Sequence, residues 1–289
     1  MAAVTPPPGY PYAPPAPPRR TRRIWPPVLI AAWVAVLGVL AVWSARNDPP
    51  TVADQRDIAA AMPEVRRATG ALMAAADGPD RAVVLGDTVF QNCSVTAVRD
   101  GRQAVRDITV YVPAGRALPV LQSIAGRLPS DYRAGAGATA TGRRVGLHAD
   151  AGVFVGIDAA ASVDSQVLTL RVSTGCRPGA GAKPNEAGPA PGPPPAALTA
   201  ALRALGAAAP ANPRTQSVAC PDGGVAATWT VPSVAAPKDL GASLQPLVAG
   251  ASVVRAEPAG WAYRTPAGSV VVLAQGDGGL RVSATSSCA

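Results

Sequence analysis

Apolar and polar residues are distributed along this chain in three distinct ways. From Ile24 to Trp43 it reads IWPPVLIAAWVAVLGVLAVW, twenty residues without a charge or a strongly polar group. As a helix rising 1.5 Å per residue such a run spans roughly 30 Å, the thickness of a bilayer's hydrocarbon core. Beyond it, apolar residues recur at helical spacing in four places. Ile58, Met62, Val65 and Leu72 form the first set, and Val120, Leu121, Ile124 and Leu128 the second. Leu198, Leu202 and Leu205 form the third, and Leu240, Leu244, Leu247 and Val248 the fourth. Between these lie runs that alternate with period two, the signature of half-buried strands: Ile108, Val110 and Val112, then Leu168, Leu170 and Val172, then Val225, Ala227, Trp229 and Val231, and last Leu280, Val282 and Ala284.

The order of these patterns repeats. Each half predicts a helix, a hairpin around an Asp-Gly turn, a second helix and then three or four closing strands. The hairpins are CSVTAVRDGRQAVRDITVYV from Cys93 and SVACPDGGVAATWTV from Ser217. In the closing part, Val145, Leu147, the Asp150-Ala151-Gly152 turn and VFVGI answer to Trp261, Tyr263, the Pro266-Ala267-Gly268 turn and VVVLA. LTLRVSTGC, ending at Cys176, answers to GLRVSATSSC, ending at Cys288, with Arg171 and Arg281 turned away from the apolar face in both. The expected fold class is therefore α+β: an N-terminal transmembrane helix followed by two similar small modules. Each module is a largely antiparallel sheet with two helices on one face and polar alternates exposed on the other. The expected organisation is a Pro-rich tail at 1–23, the membrane helix at 24–44, a juxtamembrane linker at 45–57, a module at 58–176, a Pro/Gly-rich linker at 177–197 and a second module at 198–289.

Charge fixes the expected orientation. Arg19, Arg20, Arg22 and Arg23 precede the apolar run, whereas Arg46 and Asp48 follow it, which places the N-terminus in the cytoplasm and the rest outside. Arg22, Arg23, Trp25 and Trp43 are the expected interface anchors, and Pro26 and Pro27 fall in a first turn that tolerates their missing N–H groups. A cleaved signal peptide is the competing reading, but its apolar stretch is usually shorter and ends in small residues. The net charge of +8 points away from nucleic acid once located: without the five arginines flanking the run, 21 basic residues face 18 acidic ones. No clustered Lys and Arg with interleaved aromatics remain to follow a phosphate backbone. Only Lys183 and Lys238 are lysines, and the Ala, Gly and Pro richness resembles proteins of high-GC bacteria.

The four cysteines, in an exported region, point to disulfides. Of the three possible connectivities the repeat selects Cys93 with Cys176 and Cys220 with Cys288. Metal or thiol chemistry would require close pairs such as C-x-x-C, and that spacing is missing.

Catalytic signatures are absent. His148 is the sole histidine, two residues before Asp150, which a hairpin turn explains by local hydrogen bonding. There is no G-x-S-x-G elbow, P-loop or H-E-x-x-H, and GAGATATGRR from Gly135, with Arg143 and Arg144, reads as a loop. Asp54 and Asp57 suit a helix start, and Asp77 and Asp80 bracket Gly78-Pro79 in a loop. The expectation is a non-catalytic membrane protein of a bacterial cell envelope. It has no catalytic, cofactor-binding or metal residues and no nucleic-acid partner; its partners are the lipid bilayer, through residues 24–44, and an envelope protein, glycan or lipid. The alternatives are a sensor relaying through the Pro-rich tail, whose Pro8 to Pro11 spacing fits PxxP, and an extracellular hydrolase. A deep pocket with two pKa-shifted carboxylates would favour the hydrolase; a shallow polar surface would not.

Overall fold

A computed structural model describes residues 25–47, 57–96, 99–178, 188–208, 210, 212–276 and 278–288. The Pro-rich tail with Arg22 and Arg23, the side chain of Trp25 and residues 179–187 of the Pro/Gly segment lie outside the described residues. The chain forms two compact units, Met1–Thr51 and Val52–Ala289.

The described residues of the first unit form one helix, α1 (Trp25–Asn47), apolar on every side, and Leu29, Trp33, Val39 and Trp43 are all exposed. An evenly apolar helix has no preferred face to bury against a soluble core. Among the described residues no helix is long and apolar enough to cross a membrane. The described side chains of α1 run only from residue 28 to 43.

The second unit contains two antiparallel sheets with helices, an α+β arrangement. Its first half runs α2 (Ile58–Ala76), β1 (Ala82–Thr96), β2 (Arg99–Tyr111), α3 (Ala117–Arg127), β3 (Gly135–Ala138), β4 (Arg144–Asp150), β5 (Gly156–Ser162) and β6 (Val167–Ser173). After a two-residue strand, β7 (Arg177–Pro178), the second half runs α4 (Ala196–Ala204), β8 (Arg214–Ala219), β9 (Val225–Ala235), α5 (Leu240–Leu244), β10 (Ser252–Glu257), β11 (Gly260–Thr265), β12 (Gly268–Ala274) and β13 (Gly279–Ser286). The sheets have orders β1-β2-β6-β5-β4-β3 and β8-β9-β13-β12-β11-β10, so the second repeats the six-strand order of the first, to which β7 adds a short pairing with β2.

In each half the predicted apolar faces meet. Met62, Val65 and Leu72 of α2 and Leu121 and Ile124 of α3 cover Ile108, Val110, Leu168, Leu170 and Ile157. Leu198 and Leu202 of α4 and Leu244 of α5 cover Trp229, Tyr263, Val272 and Val282. Burying one such side chain stabilises the fold by about 1.5–3 kcal/mol. Asp57 starts α2 by accepting the Ala60 N–H at 2.8 Å, and Asp239 does the same for α5 with the Ala242 N–H at 2.9 Å.

Four details differ from the sequence reading. The GAGATATGRR run is not wholly a loop: Gly135–Ala138 forms β3, paired with β4 from Gly135 opposite His148 to Ala138 opposite Val145. Asp100-Gly101 is not a turn: it lies inside β2, opposite Ser94 and Cys93. Gly101 serves a close approach instead, since a Cβ there would lie 2.4 Å from the Arg177 carbonyl oxygen and 2.9 Å from Cys176 Sγ. Val153 and Phe154 belong to the β4–β5 turn rather than to a strand, with φ of 52° and 59°. Finally, the polar face of the second sheet is not solvent-exposed. Strand β1, the edge of the first sheet, rests against it: the Val83 N–H donates to Ser269 Oγ and the Leu85 N–H to Thr228 Oγ1, both at 2.9 Å. An edge strand's free donors must find acceptors when buried, and the hydroxyls of the second sheet supply them. Beside them Ala82, Tyr111, Val254, Ala262 and Val271 form a small apolar cluster.

Polar ties complete this junction. Buried Arg106 donates to the carbonyls of Gly86 at 3.1 Å and Ser217 at 3.3 Å and to Gln216 Oε1 at 3.4 Å. Burial pulls its guanidinium down to about 10, opposed by the charge of Asp87. Arg214 pairs with Asp87, and Arg264 with Asp77. Helix α2 lies so close to β8 that a Cβ on Gly70 would stand 2.1 Å from the Ala219 carbonyl oxygen.

Candidate functional site: the outer sheet face and the cleft between the modules

Disulfides join Cys93 to Cys176 and Cys220 to Cys288, each tying a module's first hairpin to the end of its last strand. Among the described residues no cysteine is free.

Cross-strand register builds the outer face of the first sheet. Asp107 of β2 stands opposite Arg171 of β6, Arg171 opposite Asp158 of β5, and Asp158 opposite His148 of β4. Four adjacent strands thus carry one row of alternating acidic and basic side chains. Arg171 donates to both oxygens of Asp107, at 2.9 and 3.1 Å, and His148 Nδ1 lies 2.7 Å from Asp158 Oδ1. The histidine therefore pairs across the strands, not with Asp150. Asp150 Oδ1 accepts the Gly152 N–H at 2.9 Å, the local turn bond, while its other oxygen takes Arg133 Nη2 at 3.2 Å. Among the described residues the hydrogen-bond partner of His148 is Asp158, not a hydroxyl or thiol that it could activate. The row is flat and open to water, and such pairs contribute roughly 0.2–1 kcal/mol each to sheet pairing.

The other sequence candidates are separated. Asp57 caps α2, Asp77 holds Arg264, and Asp80 accepts from Arg81 Nε at 2.9 Å. Arg143 and Arg144 are exposed at the β3–β4 hairpin, and Asp54 lies outside the described residues. Among the described residues no three His, Cys, Asp or Glu side chains converge as a metal cage would require.

Two open clefts lie away from this face. The larger, about 770 Å³, opens between the modules. Pro63, Arg66 and Arg67 of α2 form one wall, Asp131 and Tyr132 a second, and Pro189, Cys220 and Pro221 a third. Its apolar surface comes from prolines, alanines and the Tyr132 ring, its charge from two guanidiniums and one carboxylate. Tyr132 is buried, which raises its hydroxyl's pKa above the ordinary value; Arg67, hydrogen-bonded to it, works the other way. Arg67 also pairs with Glu64 at 2.6 Å.

The second cleft, about 550 Å³, lies within the second module and is lined by Lys238, Asp239, Glu257, Trp261 and Gln275. It holds two carboxylates, but both are occupied. Asp239 caps α5, and Glu257 accepts from Arg255 Nη2 at 2.6 Å and Gln166 Nε2 at 3.1 Å. Those bonds, led by the one from Arg255, hold Glu257 below the usual carboxylate range. A general acid needs the opposite shift.

Sequence reasoning missed Arg106, Arg177 and Tyr132. Arg177 opens the expected linker, yet as part of β7 it pairs with Arg102 of β2 and its side chain is wholly buried. A signal for Arg106 was present: it is in phase with Ile108 and Val110, a charge at a core position. No protein-family model, curated protein or solved structure matches this chain.

Proposed function

We propose that the chain is a membrane-anchored, non-catalytic envelope protein that holds a protein, glycan or lipid component in the cleft between its modules. In this reading residues 24–44 sit in the bilayer as a single-pass helix, Trp43 marks the outer interface, the N-terminus is cytoplasmic and residues 58–289 lie outside. The arginine asymmetry around the apolar run and the even apolarity of α1 support the anchor. Two disulfides suit an oxidising compartment.

The observation that carries the binding role is the make-up of the cleft. Two guanidiniums and several prolines, with Asp131 the one carboxylate among the described residues lining it, suit recognition of an anionic or extended ligand. The two modules pack through Arg106, Gly70 and β1 into one compact unit. They would act as one receptor surface rather than as two beads gaining avidity from a linker.

The test is capture by the full-length chain in detergent from solubilised envelopes, comparing wild type with Arg66→Glu/Arg67→Glu. A component retained by the wild type and lost by the variant, at unchanged melting temperature, supports the reading. Equal retention by both would remove the cleft from consideration. Topology is checked separately: protease added to intact spheroplasts should degrade the region after residue 57 and spare an N-terminal tag.

A further inference from the structure

Strand β1 divides at the register shift after Leu85, and its two parts use their outer edge differently. Before the shift, the N–H groups of Val83 and Leu85 leave the edge and meet hydroxyls of the second sheet. After it the strand continues to Thr96 with β2 on one side. The hydrogen bonding of β2 fixes what points to the other. Ala104 donates to Thr174 Oγ1 and accepts from the Thr174 N–H, both at 3.0 Å, so its backbone groups face away from β1. Phe90, its partner in register, then turns its own N–H and C=O outward, as do Thr88, Asn92 and Ser94 at the alternating positions. Among the described residues no strand pairs with this edge, and those backbone groups have no hydrogen-bond partner.

The other sheet edges are guarded. Strand β3 is only 4 residues long, β8 carries Arg214, and β10 carries Arg255 and Glu257. Shortness and charge are the usual means of keeping a strand edge from pairing with another chain. The run TVFQNCSV from Thr88 to Val95 has neither a charge nor a proline. Val89 is 49% exposed, and Gln91, Asn92 and Ser94 are exposed as well. Such an edge is a template for strand addition.

The run itself selects the added strand. Outward groups alternate, so self-pairing requires a two-fold axis that passes through a residue. With the axis at Gln91, Phe90 stands opposite Asn92 and Thr88 opposite Ser94, and every outward group of one copy meets one of the other. Val89 faces Cys93, whose sulfur is closed in its disulfide, and Gln91 faces its own counterpart. No charge meets its like along the pairing, the condition a self-complementary interface must satisfy.

We propose that residues 88–94 of β1 form the interface through which two copies of this chain join, their β1 strands pairing antiparallel about Gln91. The two first sheets then run on as one antiparallel sheet. None of the residues lining the inter-module cleft belongs to this contact, so the inference stands apart from the binding role given to that cleft.

The experiment is sedimentation of the full-length chain in density-matched detergent, where the wild type should form a dimer. Gln91→Lys and Gln91→Glu each set like charges face to face at the axis, and each should weaken the dimer by about tenfold or more. Mixed in equal amounts, the two variants should recover a dimer, because opposite charges then meet. Thr169→Lys, on the exposed face of β6, is the control and should dimerise as the wild type does. A wild type that stays monomeric up to about 100 μM overturns the proposal. So does a dimer that neither Gln91 variant weakens, or a mixture that fails to restore it. If a charge variant loses its cooperative melting transition, Asn92→Pro takes its place, since it removes an outward N–H that β2 does not use. That variant should be monomeric, and persistence of its dimer overturns the proposal equally.

Discussion

The two modules repeat one topology but put the second face of their sheets to opposite uses. In the first, that face carries Asp107, Arg171, Asp158 and His148, paired polar side chains open to water. In the second, Thr228, Ser269, Ser283 and Thr285 occupy it, and all four are buried. Both sets satisfy the same polar alternation, so pattern alone does not separate them. What separates them is where β1 rests: the short hydroxyls of Thr228 and Ser269 leave room for it and accept its free N–H groups, while Arg281 on the same face stays exposed. The cores differ too. Helix α2 has 19 residues and α4 only 9. The smaller helical cover is offset by Trp229, Trp261 and Tyr263, which give the second core an aromatic bulk the first has less need of.

The covalent braces test how far the symmetry extends. Removing Cys93–Cys176, or Cys220–Cys288, opens loops of 83 and 68 residues, about 4 kcal/mol each in the chain-entropy model. Entropy alone makes the two losses nearly equal. Cys220, however, packs into the first module's core, so Cys220→Ser/Cys288→Ser should be the more damaging pair in urea unfolding of oxidised protein. If Cys93→Ser/Cys176→Ser costs clearly more, the junction is weaker than its contacts indicate.

Next in size is an alkaline effect carried by Tyr263 of the second core. Burial pushes the Tyr263 hydroxyl up to about 12. Its ordinary value is near 10, so between those limits the unfolded chain releases a proton that the folded one keeps. The unfolded state then binds fewer protons, and stability falls as pH rises. A shift of this size amounts to roughly 2–3 kcal/mol lost by pH 12. Tyr263→Phe should flatten that limb in denaturant titrations run from pH 9 to 12, since the contribution of buried Arg106 is common to both proteins. An unchanged slope would mean that water reaches the hydroxyl.

Much of this architecture was legible because core positions of helices and strands keep their periods: Ile58 to Leu72, Ile108 to Val112 and Leu280 to Ala284 all point where the spacing puts them. The parallel order of elements then selected the cysteine pairing. What failed was local chemistry with more than one use. Gly101 reads as a turn residue beside Asp100, yet it is needed where Arg177 and the disulfide crowd the backbone. The strand from Ala82 was hard to see because Gly86 and Asp87 interrupt its alternation at a register shift. The charge row was unreadable for a different reason: its four members lie on four strands, and register across strands is not written in any one of them. The cleft between the modules likewise depends on a docking that no periodicity encodes.

A sharper test of the two faces uses substitutions that are chemically alike. Thr228→Val removes the acceptor for the Leu85 N–H inside the junction, where an unpaired buried donor costs about 1–3 kcal/mol. Thr169→Val, on the exposed face of β6, should change stability by no more than ~0.5 kcal/mol. Similar losses from the two would mean that the first face is also covered in the native protein. Similar small effects would mean that β1 is not seated on the second sheet in solution.

The smallest expected effect bears on the charge row itself. Arg171 and Asp107 form a two-bond pair, but both are substantially exposed, and pairs in that setting are worth about 0–1 kcal/mol. Arg171→Gln should therefore lower stability by under 1 kcal/mol at low salt, with the difference shrinking further in 1 M salt as screening removes what little the pair contributes. His148→Gln, one step along the row, should be closer still to neutral. Thermal unfolding of the full-length chain at both ionic strengths checks this. A loss well above 1 kcal/mol that persists in high salt would require the row to be shielded from water by something bound to it, and the flat face, not the cleft, would then be the place to look for a partner.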